Sequence, residues 1–366
     1  MKLHGTNSGL GLGKGAIMAE TSARTKGIVQ GGILQGGILH GGDLDGARMT
    51  FPEAPEPWVD LSTGINPWPY PLPPIPPDAW ARLPARHAES ALLEAAVACY
   101  GASSPDVAAA ASGSQALIQL LPRIRAPGTV AVLGPTYAEH AAGWAGAGHR
   151  VTETESTDDA AADVLVVVNP NNPDGRILPA ADLLALAERQ AARGGWLVVD
   201  EAFADVTPAA SVAPHAGRPG LVVLRSFGKF FGLAGLRLGI ALAEPALAAA
   251  LRAAIGPWAV SGPGLAVATA ALSDSAWIAA TRARLDAEAE RLDRLLVEAG
   301  LTVVGGTSLF RLVCDPGAPQ LYNALGQAGI LVRRFDYRAD WLRFGLPVGE
   351  GGRERLAAAC RSVTRS

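Results

Sequence analysis

The stretch Val164-Leu165-Val166-Val167-Val168 runs directly into Asn169-Pro170-Asn171-Asn172-Pro173-Asp174-Gly175. Successive side chains of a strand point to opposite faces, so a run that is apolar at every position is buried on both sides. The asparagine, proline and glycine that follow are turn residues and stop the run abruptly. Working outward, similar short runs at 129–133, 196–200, 221–225 and 237–242 alternate with helical periodicity at about 89–99, 114–121, 137–146, 179–193 and 245–255. That alternation predicts an α/β fold, a mostly parallel sheet covered by helices on both faces.

The flanks read differently. Residues 1–39 are glycine-rich and carry a tandem Gln-Gly-Gly-Ile-Leu at 30–34 and 35–39. They are expected to form a flexible leader, with Met18 as an alternative start. Gly11-x-Gly13-x-x-Ala16 lacks the preceding strand and the later acidic residue of a dinucleotide site, and Gly13-Lys14 lacks the remaining P-loop positions. Prolines crowd 51–77, which should run extended until Asp78 opens a helix. After Gly262-Pro263-Gly264 a charged helical stretch at 265–299 precedes short strands near 301–304, 309–313, 330–333 and 341–345, with helices near 319–328 and 352–363. The expected division is a leader at 1–39, a segment at 40–66 that joins the smaller domain, a large domain at 67–262 and a small α+β domain at 263–366.

With 366 residues, 49% apolar and 18% charged, the chain has material for a substantial core, which excludes disorder. A net charge of −3 gives no basic footprint for nucleic acid or anionic membrane. No apolar stretch reaches the ~18 residues that a membrane helix needs. Cys99, Cys314 and Cys360 have no metal-binding or disulfide spacing, so no metal site is expected and a cytoplasmic setting is.

In an open α/β sheet, ligands collect beyond the carboxyl ends of the strands. Four unusual clusters fall there: Asn169 to Gly175, Asp200-Glu201-Ala202-Phe203, Arg225-Ser226-Phe227-Gly228-Lys229, and Ser112-Gly113-Ser114-Gln115 opening a helix. Singly, each has a plain reading as a turn, a surface charge or a cap. Together they bring free backbone N–H groups for a phosphate, a carboxylate for a ring nitrogen, an amide donor and a lysine for an aldehyde. Those are the functional parts of pyridoxal phosphate.

In this order of motifs, over about residues 58–347, the chain resembles the fold-type I pyridoxal-phosphate family that includes the class I/II aminotransferases. The resemblance implies a large and a small domain, a homodimer and pyridoxal 5′-phosphate as cofactor. By it, Lys229 is similar to the lysine that binds the cofactor covalently and Asp200 to the partner of the pyridine nitrogen. Asn172 is similar to the donor to the ring oxygen, Tyr137 to the aromatic residue stacked on the ring, and Arg237 with Ser226 to the phosphate ligands. Ser112, Gly113, Ser114 and Gln115 resemble the phosphate-binding helix start. A free lysine near pKa ~10.4 is a poor nucleophile at neutral pH, which is why covalent storage on the aldehyde is useful. A carboxylate at the ring nitrogen keeps that nitrogen cationic, and thereby keeps the ring able to accept electrons.

Trp341-Leu342-Arg343-Phe344-Gly345 resembles the family segment whose arginine grips the substrate carboxylate. Gly329-Ile330-Leu331-Val332-Arg333 resembles the segment that supplies an arginine for a substrate phosphate in the histidinol-phosphate aminotransferase branch, with Arg334 as the alternative. His40-Gly41-Gly42-Asp43 followed by Asp60-Leu61-Ser62-Thr63-Gly64-Ile65-Asn66-Pro67 resembles the opening of threonine-phosphate decarboxylases of cobalamin biosynthesis, in which His40, Gly41 and Asn66 would line the entrance. Phe203 agrees with that branch, since aminotransferases typically place a tyrosine there. Leu83 departs from the wider family, where a tyrosine reaches the neighbouring subunit's cofactor phosphate. The resemblance thus implies decarboxylation of a small phosphorylated amino acid, with a histidinol-phosphate-type aminotransferase, and further off a non-catalytic binding protein, as the alternatives.

Overall fold

The computed structural model describes residues 34–35, 38–157 and 161–364. The leader expected over 1–39 lies outside the described residues, apart from a short antiparallel pairing of Leu34–Gln35 with Ile38–Leu39.

A seven-stranded sheet forms the centre, in the order Ala108–Ala111, Gly239–Leu242, Leu221–Ser226, Trp196–Asp200, Val164–Val168, Thr129–Leu133, Arg150–Thr154. Gly239–Leu242 is antiparallel to both of its neighbours and the remaining pairs are parallel. Every residue of Val164–Val168 is buried, as expected for a strand covered on two faces. Helices cover both sides: Arg86–Tyr100 and Ala180–Ala191 pack into one apolar cluster, Ser114–Leu120 and Pro245–Ile255 into another. Two strands of this sheet escape the sequence pattern. Ala108–Ala111 is four alanines, a helix-favouring composition that the ladder to Gly239–Leu242 overrides. Arg150–Thr154 is a half-exposed edge strand.

The stretch expected as one helix over 265–299 is two, Gly262–Ser273 and Ser275–Glu298. Asp274 stands between them in a non-helical conformation, and its carboxylate accepts from the Trp277 N–H, capping the second helix. Gly262–Ser273 packs on Arg86–Tyr100, whereas Ser275–Glu298 leads into a five-stranded sheet in the order Val303–Thr307, Phe310–Cys314, Arg338–Gly345, Ile330–Phe335, Val59–Leu61. Its last strand comes from the other end of the chain and pairs parallel to Ile330–Phe335. Arg343 lies directly opposite Arg333 across the antiparallel ladder. The Asn169 turn meets this sheet at Asp174, whose carbonyl accepts from the Gly306 N–H at 2.8 Å, and at Gly175, φ 73°, where a Cβ would lie 2.0 Å from the Gly306 carbonyl oxygen.

Candidate active site

The carboxyl ends of Val164–Val168, Trp196–Asp200 and Leu221–Ser226 open into one cavity, shared with the start of the helix Ser114–Leu120 and with the small sheet. Lys229 sits in its wall, on a single helical turn, Phe227–Phe230, that follows directly from the strand. The Asn66 side chain donates to the Phe230 carbonyl at 2.9 Å, and its backbone N–H donates to the Lys229 carbonyl at 2.9 Å. Asn66, expected to line the entrance, is instead buried and braces the turn that carries Lys229. The Lys229 amine lies 5.7 Å from the centre of the Phe203 ring. Burial lowers its pKa from 10.5 to about 8, with the Arg343 charge as the next cause and Asp200 opposing both.

Asp200 is 3% exposed at the end of its strand. One carboxylate oxygen meets His140 Nε2 at 2.8 Å and the other accepts from the Ala202 N–H at 3.0 Å. Burying a carboxylate this deeply is costly without such hydrogen-bond partners. Phe203 brings no hydroxyl to the cavity; it packs edge-on against Phe310 at 5.0 Å, an apolar wall beside the lysine.

At the other end, Gly113 has φ 95°, and a Cβ there would come within 2.7 Å of an Arg237 guanidinium nitrogen. Only glycine combines that conformation with so close an approach. Ser114 and Gln115 open the helix beside it, and Ser226 and Arg237 line the same end of the cavity. Ser112 does not line it: its side chain is exposed and its hydroxyl donates to the Ala259 carbonyl. Tyr137 lines the cavity, with its hydroxyl donating to Gln115 Oε1 at 3.1 Å. Burial raises its pKa, and Glu139 and Asp200 add to that.

His40, Gly41, Asn172, Arg333 and Arg343 close the remaining side. Arg343 donates to Asn172 Oδ1 and, at 2.9 Å, to the Ser62 carbonyl. Its Nε is buried without a hydrogen-bond partner among the described residues. Burial and the facing Arg333 charge lower its pKa to about 9. Of the two adjacent arginines, Arg333 lines the cavity, while Arg334 lies over the Tyr322 ring at 5.1 Å. Two facing cations repel each other, and a ligand carrying two anionic groups relieves that repulsion.

The cavity fits pyridoxal phosphate: an amine with a lowered pKa, a buried anchored carboxylate, a glycine cradle with a guanidinium above it, and an aromatic wall. His140, Glu139 and Tyr337 belong to the same site without being singled out from the sequence, and Ser62 of the Asp60–Pro67 motif lines the cavity. His140 and Glu139 directly follow the Tyr137 motif, but nothing local marks a histidine that will meet an aspartate sixty residues later.

The aminotransferase class I and II family matches residues 78–362, and the chain belongs to it. Within that family it is 50% identical over 306 residues to a threonine-phosphate decarboxylase of Pseudomonas aeruginosa, covering 82% of this chain and 91% of the relative. A threonine-phosphate decarboxylase of Sinorhizobium sp is 48% identical over 313 residues, covering 83% and 92%. Among solved structures, the histidinol-phosphate aminotransferase of Sinorhizobium meliloti in complex with pyridoxal-5′-phosphate has a TM-score of 0.74 at 21% identity, covering 94% of this chain and 99% of that one. The L-threonine-O-3-phosphate decarboxylase of Porphyromonas gingivalis has a TM-score of 0.69 at 20% identity, covering 84% and 100%. At these identities the structural likenesses establish the fold.

Proposed function

We propose that the chain is a pyridoxal-phosphate-dependent lyase that removes CO2 from L-threonine O-3-phosphate, giving (R)-1-aminopropan-2-ol O-phosphate for the corrinoid side chain of cobalamin. The observation that carries the reading is the facing Arg333 and Arg343 pair in one cavity with Lys229, beside Phe203 where aminotransferases typically carry a tyrosine. The nearly full-length likeness to two threonine-phosphate decarboxylases supports it.

Bound there, pyridoxal phosphate supplies an electron sink for the pair left when a bond at the substrate Cα breaks. Lys229 would hold it covalently, Asp200, positioned by His140, would keep its ring nitrogen protonated, and Asn172 would donate to its ring oxygen. Tyr137 would lie against its ring. Gly113, Ser114, Gln115, Ser226 and Arg237 would hold its phosphate. Arg343 orients the substrate carboxylate and Arg333 takes the substrate phosphate. Carboxylate binding to Arg343 must serve orientation, since an interaction equally strong before and during CO2 loss does not raise the rate. Lys229 would then donate a proton from Nζ to Cα at the position vacated by CO2. Phe203 and Phe310 shield that amine from water.

The protein is read as a cytoplasmic homodimer. Trp80 and Leu83, three residues apart and 69% and 67% exposed, put two large apolar side chains on the surface. Large apolar side chains exposed together mark an interaction surface. Incubation with threonine phosphate and no 2-oxoglutarate should yield CO2 and the amino-alcohol phosphate by mass analysis. Formation of glutamate that depends on 2-oxoglutarate would instead make the protein an aminotransferase.

A further inference from the structure

Glu139 takes no part in the chemistry above, yet its carboxylate is only 7% exposed beside the cavity. A carboxylate so placed is costly unless donors surround it. His40 Nε2 meets Oε1 at 3.0 Å, while Gln115 Nε2 and Gln119 Nε2 donate to Oε2 at 2.7 and 3.3 Å. Gln115 in turn accepts from the Tyr137 hydroxyl, and the His40 ring stands edge-on to Tyr137 with centroids 6.2 Å apart. One side chain therefore ties together the helix start at the phosphate end, the Tyr137 wall and a strap of chain at 40–42 that arrives from 99 residues away.

The opposite side of the strap rests on the small sheet's edge. The Gly42 N–H donates to Ser62 Oγ at 2.6 Å, and a Cβ on Gly41 would come within 2.4 Å of the Ser62 carbonyl oxygen. Because a carboxylate only accepts, its contact with Nε2 also sets which ring nitrogen carries the proton and how the ring faces the cavity. His40, Tyr137 and Arg333 line one cavity, with the His40 and Tyr137 rings in edge contact.

We propose that Glu139 is a positioning residue that clamps His40 and the strap at 40–42 as the wall meeting the phosphate-bearing end of the substrate. This rests on the reading of the site as one for a phosphorylated amino acid. The test compares holoenzyme carrying Glu139→Gln, His40→Ala or both. Glu139→Gln keeps the shape of the side chain and removes its charge. Without substrate, hydrogen exchange over residues 40–43 should accelerate several-fold in Glu139→Gln, while residues 164–168 stay protected. For threonine phosphate, KM should rise about tenfold and by more than kcat falls, as expected for loss of a charge-assisted contact. On the His40→Ala background, Glu139→Gln should add little, because the two act through one contact. Unchanged exchange over the strap, or additive effects of the two substitutions, would overturn the proposal. Should the unaltered protein release no CO2 from threonine phosphate, the functional reading fails, while the exchange comparison still decides whether Glu139 clamps the strap.

Discussion

With the cofactor removed, Lys229 should titrate near pH 8, and Arg343→Leu should raise that midpoint. The amine is nucleophilic only when neutral. Lowering its pKa from 10.5 to about 8 raises the neutral fraction at about pH 7.5 from roughly one in a thousand to about one in four. Burial is the largest cause and survives the substitution; the Arg343 charge is the next, so its removal should move the midpoint up, though not back to that of a free lysine. Asp200→Asn should move it down, since Asp200 favours the charged amine. The sign for stability follows from linkage. The unfolded chain binds the proton more tightly, so this group adds stability as pH rises from about 8 to 10.5, and its cost is fully present below that window. Competitive acylation across pH, read by mass spectrometry, gives the midpoint without ambiguity, because Lys229 is the only lysine beyond residue 26. A midpoint near that of a free lysine, or one that Arg343→Leu leaves in place, would refute the account.

Behind the site, Arg225 is 3% exposed, pairs with Glu201 at 2.8 Å and Asp205 at 2.5 Å, and lies 4.1 Å over the Tyr100 ring. Arg225→Met should cost about 3–5 kcal/mol in chemical denaturation by stranding two buried carboxylates; a loss below about 1 kcal/mol would count against that. Gly113→Ala should weaken cofactor binding about tenfold or more, measured by equilibrium dialysis, through a disfavoured φ and the clash with Arg237. Light scattering should report a dimer, and Trp80→Glu should shift it toward monomer at micromolar concentration; a monomeric unaltered protein would contradict the homodimer.

How far the sequence could be read depends on the range of the forces involved. The run Val164–Val168 announces its own burial, because period and composition are local properties, and its turn residues mark the sheet edge where a ligand belongs. The lysine, aspartate and asparagine each follow such a run, so their spacing was legible. Ala108–Ala111 was not, since alanine says helix until a neighbouring strand supplies hydrogen bonds. The helix break at Asp274 was equally hidden, because alanine-rich, helix-favouring sequence continues on both sides of it.

The sequence by itself determined a sheet buried on both faces and a set of cofactor-directed groups at its carboxyl edge. The tertiary structure alone decided their pairings. Strand register set Arg343 opposite Arg333 and turned Arg334 toward Tyr322. Chain return brought His140 to Asp200, Asn66 to the Lys229 turn, and Glu139 to His40. These contacts join residues far apart in the chain, and a buried charge takes its pKa and its role from whichever partner the fold delivers.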